Sequence, residues 1–204
     1  VTACERSAMP EAIDFPTLGF LAADWVERHC CIPDGFALGS PLVHDGWQLI
    51  CDLHHYRVRE GVEYNPVRPL QGQAFTYRRS VVVGGQKLGK SPWRASLDLF
   101  EAVGPCLFGG WAAGGESYRC ADGGCGCGWE YHYEPGEPMG LCRPKSLIQI
   151  MATADDQVDN VYLPMQTMVR MGPLSELIRV NEWGLRLPNN GKLAKAAVLA
   201  FARE

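Results

Sequence analysis

The chain has 204 residues, 47% of them hydrophobic and 21% charged, enough to bury one core or one core with a side module. No apolar run is long enough for a bilayer-spanning helix, and no basic-then-apolar leader opens the sequence, so a membrane span is excluded and secretion is not expected. The net charge of −4 excludes a uniformly basic DNA-coating protein, yet residues 57–94 carry a local charge of +6. That stretch reads either as a surface facing an anion, such as a nucleotide phosphate or a DNA backbone, or as a solvated basic face balanced by acids elsewhere.

Residues 1–40 read as an irregular lead-in with one short helix, in which Phe20, Leu21, Trp25 and Val26 fall at helical spacing. Asp34-Gly35 marks a turn. A second helix is predicted from about Asp45 to Tyr56, with Pro66 and Pro69 in the loop beyond it. Val81-Val82-Val83 is short, β-branched and cut off by Gly84-Gly85, the pattern of a buried strand entering a tight loop. Ala95, Leu99, Ala102 and Val103 mark the next helix, with Pro92 in its first turn and Gly104-Pro105 at its end. Residues 109–144, rich in Gly and Cys, break this rhythm and read as an insert. Leu147–Met151 is a second buried-strand candidate, and a helix follows from about Asp155 to Met171, kinked or split at Pro164. Asn181–Gly184 reads as the turn of a hairpin, and Lys192–Arg203 as an Ala/Leu-rich closing helix.

The residues richest in chemistry are Gly84, Gly85, Gln86, Lys87, Leu88, Gly89, Lys90 and Ser91, which match G-x-x-x-x-G-K-[ST], the Walker A or P-loop pattern. Glycines let successive backbone N–H groups converge on phosphates, and the helix that follows adds its positive end. Lys90 is then the catalytic cation on the β- and γ-phosphates, and Ser91 the Mg²⁺ ligand. The expected fold class is an α/β P-loop NTPase with a mainly parallel sheet, incomplete towards its C-terminus. Residues 41–204 form the partial ATPase domain. Hydrolysis also needs an apolar strand ending in an acid. The sole candidate pair, Asp155-Asp156, follows a polar Ala152-Thr153-Ala154 step and reads as a helix cap.

Arg78–Val83, the loop ending Leu88-Gly89-Lys90-Ser91-Pro92, Glu101–Pro105 and Ile148–Asn160 together resemble the ATPase lobe of the large terminase subunits of tailed bacteriophages. Pro16–Phe20 and Trp47-Gln48 extend the resemblance over nearly the whole chain. It implies the N-terminal portion of an ATP-driven motor that packages double-stranded viral DNA, working in the bacterial host cytoplasm. Its implied partners are DNA, a small terminase subunit, a portal protein and further copies of itself in a ring. It makes Gln48 the candidate adenine reader, the alternative being an exposed polar position on an amphipathic helix, Lys87 an added phosphate contact, and Gln157 a candidate for a structural or coupling role. A Walker B glutamate and a nuclease lobe are absent from the 204 residues. Two rivals remain: another P-loop enzyme, helicase-like or a kinase, and a non-catalytic scaffold binding DNA or a partner subunit.

Four of the nine cysteines lie between positions 120 and 142. Cys120, Cys125, Cys127 and Cys142 offer a tetrahedral set of soft ligands for a structural Zn²⁺, with His132 in reserve. The alternative is reduced thiols in a loop packed by Trp129 and Tyr131. His29, His44, His54 and His55 show no nucleophile–base pattern in the sequence, and no Ser-His-Asp arrangement is apparent.

Overall fold

The computed structural model describes residues 13–69 and 73–197. Helix α1 (Gly19–His29) buries Leu21, Ala22, Trp25, Val26 and His29 at the 3–4 spacing of a helical stripe. Phe20, predicted to share that stripe, is 43% exposed on the opposite side. Thr17 starts the helix: its hydroxyl accepts the Gly19 N–H at 3.0 Å and donates to the Leu53 carbonyl at 2.7 Å. Leu53 belongs to α2 (Gly46–His55). The two helices touch backbone to backbone at Gly19, where an added Cβ would lie 2.6 Å from the Leu53 Cα. The region read as a lead-in thus supplies a wall of the core.

Helix α3 (Lys90–Val103) is the central element. Trp93, Ala95, Ser96, Leu97, Leu99, Phe100 and Ala102 are all buried, because α1 packs on one side and α4 on the other. It ends at Gly104, where a Cβ would collide with the Phe100 ring. Phe100 meets Trp25 at 5.5 Å and Tyr56 at 5.4 Å, edge to face, which ties α1, α2 and α3 together.

Between α3 and the next long helix lie two small antiparallel ribbons. Strand β1 (Leu107–Trp111) pairs with β4 (Pro138–Leu141), and β2 (Ser117–Arg119) pairs with β3 (Glu130–His132). The insert is no appendage: Ala112 and Tyr133 belong to the main core.

Strand β5 (Leu147–Ala152) leads into α4 (Asp155–Met171), which buries Val158, Tyr162, Met165, Met168 and Val169. The predicted split at Pro164 does not occur: α4 runs through it as one helix. A hairpin follows as expected, β6 (Arg179–Val180) with β7 (Gly184–Arg186), and the described chain closes on β8 (Lys192–Ala197).

The four-stranded sheet runs β5-β8-β7-β6, and only the β5–β8 pair is parallel. It is therefore mixed, not the mainly parallel sheet expected. The Lys192–Arg203 helix is corrected to a strand over Lys192–Ala197; its remaining residues lie outside the described ones. Ladder bonds on both sides of β8, with Leu193 buried opposite Leu185, outweigh helix preferences of a few tenths of a kcal/mol per residue. Val81–Val83 form no strand either. Val81 is 87% and Val83 93% exposed, and no described residue pairs with them. Strand β5 was expected to be buried, but it stands at the sheet edge with Leu147 and Met151 exposed and Ile148 and Ile150 turned to the core.

Candidate nucleotide site and a histidine–cysteine cluster

The glycine loop ends where α3 begins. Gly89 is the N-cap, at φ +72°, and Lys87 also lies in the left-handed region at φ +63°. Gly84 to Gly89 are all exposed, Gln86, Lys87 and Leu88 among them, so the backbone faces solvent. The Lys90 ammonium folds back and donates to the Gly85 carbonyl. Lys90 and Ser91 line a cleft of about 530 Å³ together with Ser80, His55, Arg94 and Asp52. His55 Nδ1 lies 2.7 Å from the Ser80 hydroxyl, and burial lowers the imidazole pKa.

Gln48, the adenine reader that the resemblance implies, stands near the start of α2, next to Gly89 of the loop. It is only 5% exposed, and its Oε1 accepts the Asp45 N–H at 2.8 Å in a capping box that starts α2. A Cβ on Gly89 would sit 3.4 Å from its Nε2, so Gln48 braces the end of the loop from beneath. Gln157 bonds the Thr153 hydroxyl at 2.8 Å on an exposed turn and does not line the cleft. Asp155 and Asp156 stand exposed in the first turn of α4, behind an Ala154 cap, so neither is the cap itself.

The only carboxylate lining the cleft among the described residues is Asp52, and it is fully buried. Its Oδ1 accepts the Trp93 indole N–H at 3.0 Å, and its Oδ2 lies 2.6 Å from His44 Nδ1. His44 Nε2 in turn lies 3.2 Å from the Ser96 hydroxyl. This Ser-His-Asp chain was not visible in the sequence, because its members come from a loop, α2 and α3. It is not a nucleophilic triad. Ser96 is 0% exposed and donates its proton to the Trp93 carbonyl at 2.8 Å, so the chain locks α2 to α3. Burial raises the Asp52 pKa, against the pull of the His44 and Trp93 bonds.

A second groove, about 970 Å³, opens beside the first. Arg78, Arg79 and Arg94 from the basic stretch meet Arg143 and Lys145 there. Two of these cations are paired: Arg143 with Glu101 at 3.0 Å, and Arg94 with Asp98. Arg57 lies apart, over the Phe15 ring at 4.3 Å.

On the far side of α1, three of the four predicted cysteine ligands converge. Cys120, Cys125 and Cys127 meet His29, with all four ligand atoms within 4.8 Å of one another. Cys142 is not among them. Its Sγ lies 3.0 Å from the Tyr118 hydroxyl and 3.5 Å from the Val103 carbonyl. His132, the reserve ligand, sits in β3 outside the cluster. Burial lowers the His29 pKa to about 4, so its ring is neutral at pH 7. Burial raises the Cys120 and Cys125 thiols. At Cys127 burial also pushes upwards, but the Trp129 N–H and the neighbouring thiols outweigh it and bring the value below normal.

With this geometry the chain can be set beside known proteins. The crystal structure of the HK97 bacteriophage large terminase superposes with a TM-score of 0.53, at 20% identity over 92% of this chain. The chain has a terminase-like fold. It spans 28% of that terminase's length. No protein-family profile matches the sequence, and no curated protein matches it. The glycine loop leads into the N-terminus of α3, whereas the His/Cys cluster gathers at the C-terminus of α1. No helix among the described residues is long and apolar enough to cross a membrane.

Proposed function

We propose that residues 84–91 hold the phosphates of Mg·ATP and that the chain is the nucleotide-binding part of a phage large terminase, a motor driving double-stranded DNA into a capsid. One observation carries the reading: an intact G-x-x-x-x-G-K-S loop at the N-terminus of the 14-residue α3, over a cleft lined by Lys90 and Ser91, in a terminase-like fold. The Lys90 and Ser91 N–H groups that open α3 have no acceptor within the helix and would meet an anion placed at its end. Lys90 exchanges its bond with the Gly85 carbonyl for the β- and γ-phosphate oxygens. Ser91 supplies the hydroxyl that ligates the cation, and Arg94, one turn on, adds positive charge to the same cleft. Bound Mg²⁺ would neutralise charge on the triphosphate.

Asp52 is committed to His44 and Trp93, which leaves no free carboxylate among the described residues of the cleft to orient water and supports slow turnover by these residues alone. The neighbouring groove, with Arg78, Arg79 and Lys145, supports a DNA backbone as the anionic partner. A small terminase subunit, a portal protein, a ring of further copies and a host-cytoplasmic setting belong to the same reading.

The test is titration of fluorescent ATP with Mg²⁺ beside the Lys90→Ala variant. Saturable binding weakened at least tenfold in the variant supports the site. Equal signal from both proteins, or none from either, overturns it and favours the scaffold reading.

A further inference from the structure

We propose that His29, Cys120, Cys125 and Cys127 bind one structural Zn²⁺ in a tetrahedral NS₃ site that staples the C-terminus of α1 to the cysteine loop.

The imidazole is already set as a ligand. His29 Nδ1 lies 2.7 Å from the Trp25 carbonyl, which can only accept, so Nδ1 carries the proton and Nε2 presents its lone pair. Nε2 faces the Cys120 Sγ at 3.1 Å and the Cys127 Sγ at 3.2 Å. A tetrahedral zinc with ordinary Zn–N and Zn–S lengths has N···S edges of about 3.6 Å, so the cluster needs to open by only a few tenths of an ångström. The ring cannot swing away: it stacks on Trp25 at 4.3 Å and meets Trp129 edge-on at 5.6 Å.

The loop's own composition demands an explanation of this kind. Residues 120–128 read Cys-Ala-Asp-Gly-Gly-Cys-Gly-Cys-Gly, with four glycines and no large apolar side chain. Ordering so flexible a segment costs about 1–2 kcal/mol per residue, and burial of Cys120 and Cys125 with half-burial of Cys127 does not offset that. A metal does. The backbone is nevertheless shaped around the thiols: Cys125 N–H bonds the Cys120 carbonyl at 3.2 Å, and Cys120 N–H bonds the Trp129 carbonyl at 3.0 Å. Gly124 and Gly128 take positive φ, at +85° and +72°, to turn Cys125 and Cys127 inwards. The outer shell suits a metal as well. The Trp129 N–H points at Cys127 Sγ at 3.4 Å, and Arg28 donates to the Cys127 carbonyl at 2.5 Å. Three thiolates and Zn²⁺ leave a net charge of −1, which Arg28 balances.

The experiment uses the full chain, purified reduced. Elemental analysis is expected to give about one zinc per chain, and cobalt(II) exchange to give the intense visible bands of a tetrahedral thiolate site. Alkylation with mass mapping is expected to show Cys120, Cys125 and Cys127 protected until a strong chelator is added; this wild-type readout does not depend on any variant folding. Cys120→Ser and His29→Ala are expected to lose the metal, whereas Cys142→Ser retains it. No metal after reconstitution with zinc overturns the proposal. So does iron with labile sulfide, a disulfide within the loop of the reduced protein, or equal metal loss from Cys142→Ser and Cys120→Ser.

Discussion

Two glycine-rich loops, 84–89 and 120–128, leave the same core in opposite conditions. The first is exposed along its length and is held by what flanks it: α3 behind, Gln48 beneath, and the Lys90 ammonium reaching back to Gly85. The second is drawn inwards, with Cys120 and Cys125 buried against a histidine 91 and 96 positions earlier in the chain. An open loop waits for a ligand that arrives from solvent. A closed one is built around a group that it must contain to hold its shape. The contrast also explains why the first was readable as a contiguous motif and the second only in part.

The largest expected effect separates the two loops. Chelation should release residues 113–134, read as cleavage by trypsin after Arg119 at least tenfold faster, with Mg·ATP affinity changed less than twofold. A parallel loss of nucleotide binding would mean that the two sites are one cooperative unit. The next joins them. Trp25 stacks on His29 and meets Phe100 of α3, so Trp25→Ala should cost about 3–5 kcal/mol in urea denaturation and weaken both sites. A loss confined to the metal side would show that α3 stands without α1.

Asp98 gives a smaller, pH-dependent effect on the nucleotide side. It is 2% exposed; burial raises its pKa to about 6, against the pull of Arg94. The folded state therefore holds the proton more tightly than the unfolded one. The stabilising contribution is complete below the ordinary value near 4 and is lost as pH rises through 6. Asp98→Asn should flatten this fall and gain up to about 2–3 kcal/mol at pH 7 relative to pH 4. An unchanged stability profile between pH 4 and 7 would refute it. The smallest effect belongs to Cys142→Ser, about 1 kcal/mol or less, since only weak thiol contacts to Tyr118 and Val103 change.

The limits of sequence reading follow from particular residues. The 3–4 spacing of Leu21, Trp25 and Val26 marked the first helix without bounds, and the capped run from Asp45, the Ala95–Val103 stripe and the run from Asp155 to Met171 yielded three more close to their observed bounds. The sheet was harder. Val81–Val83 carry the residue types of a strand, but a strand exists only where a partner supplies its ladder, and none of the described residues does so. Lys192–Ala197 carry helix formers, yet β5 and β7 on either side make them a strand.

Local periodicity, loop chemistry and the presence of soft ligands were determined by the sequence itself, because each rests on atoms a few residues apart. Tertiary structure alone decided the mixed sheet, the buried Ser96–His44–Asp52 chain, and the exchange of Cys142 for His29 in the cluster. Each of these depends on which distant backbone lies alongside. That is set by the summed burial of the whole core, and no local pattern of residues encodes it.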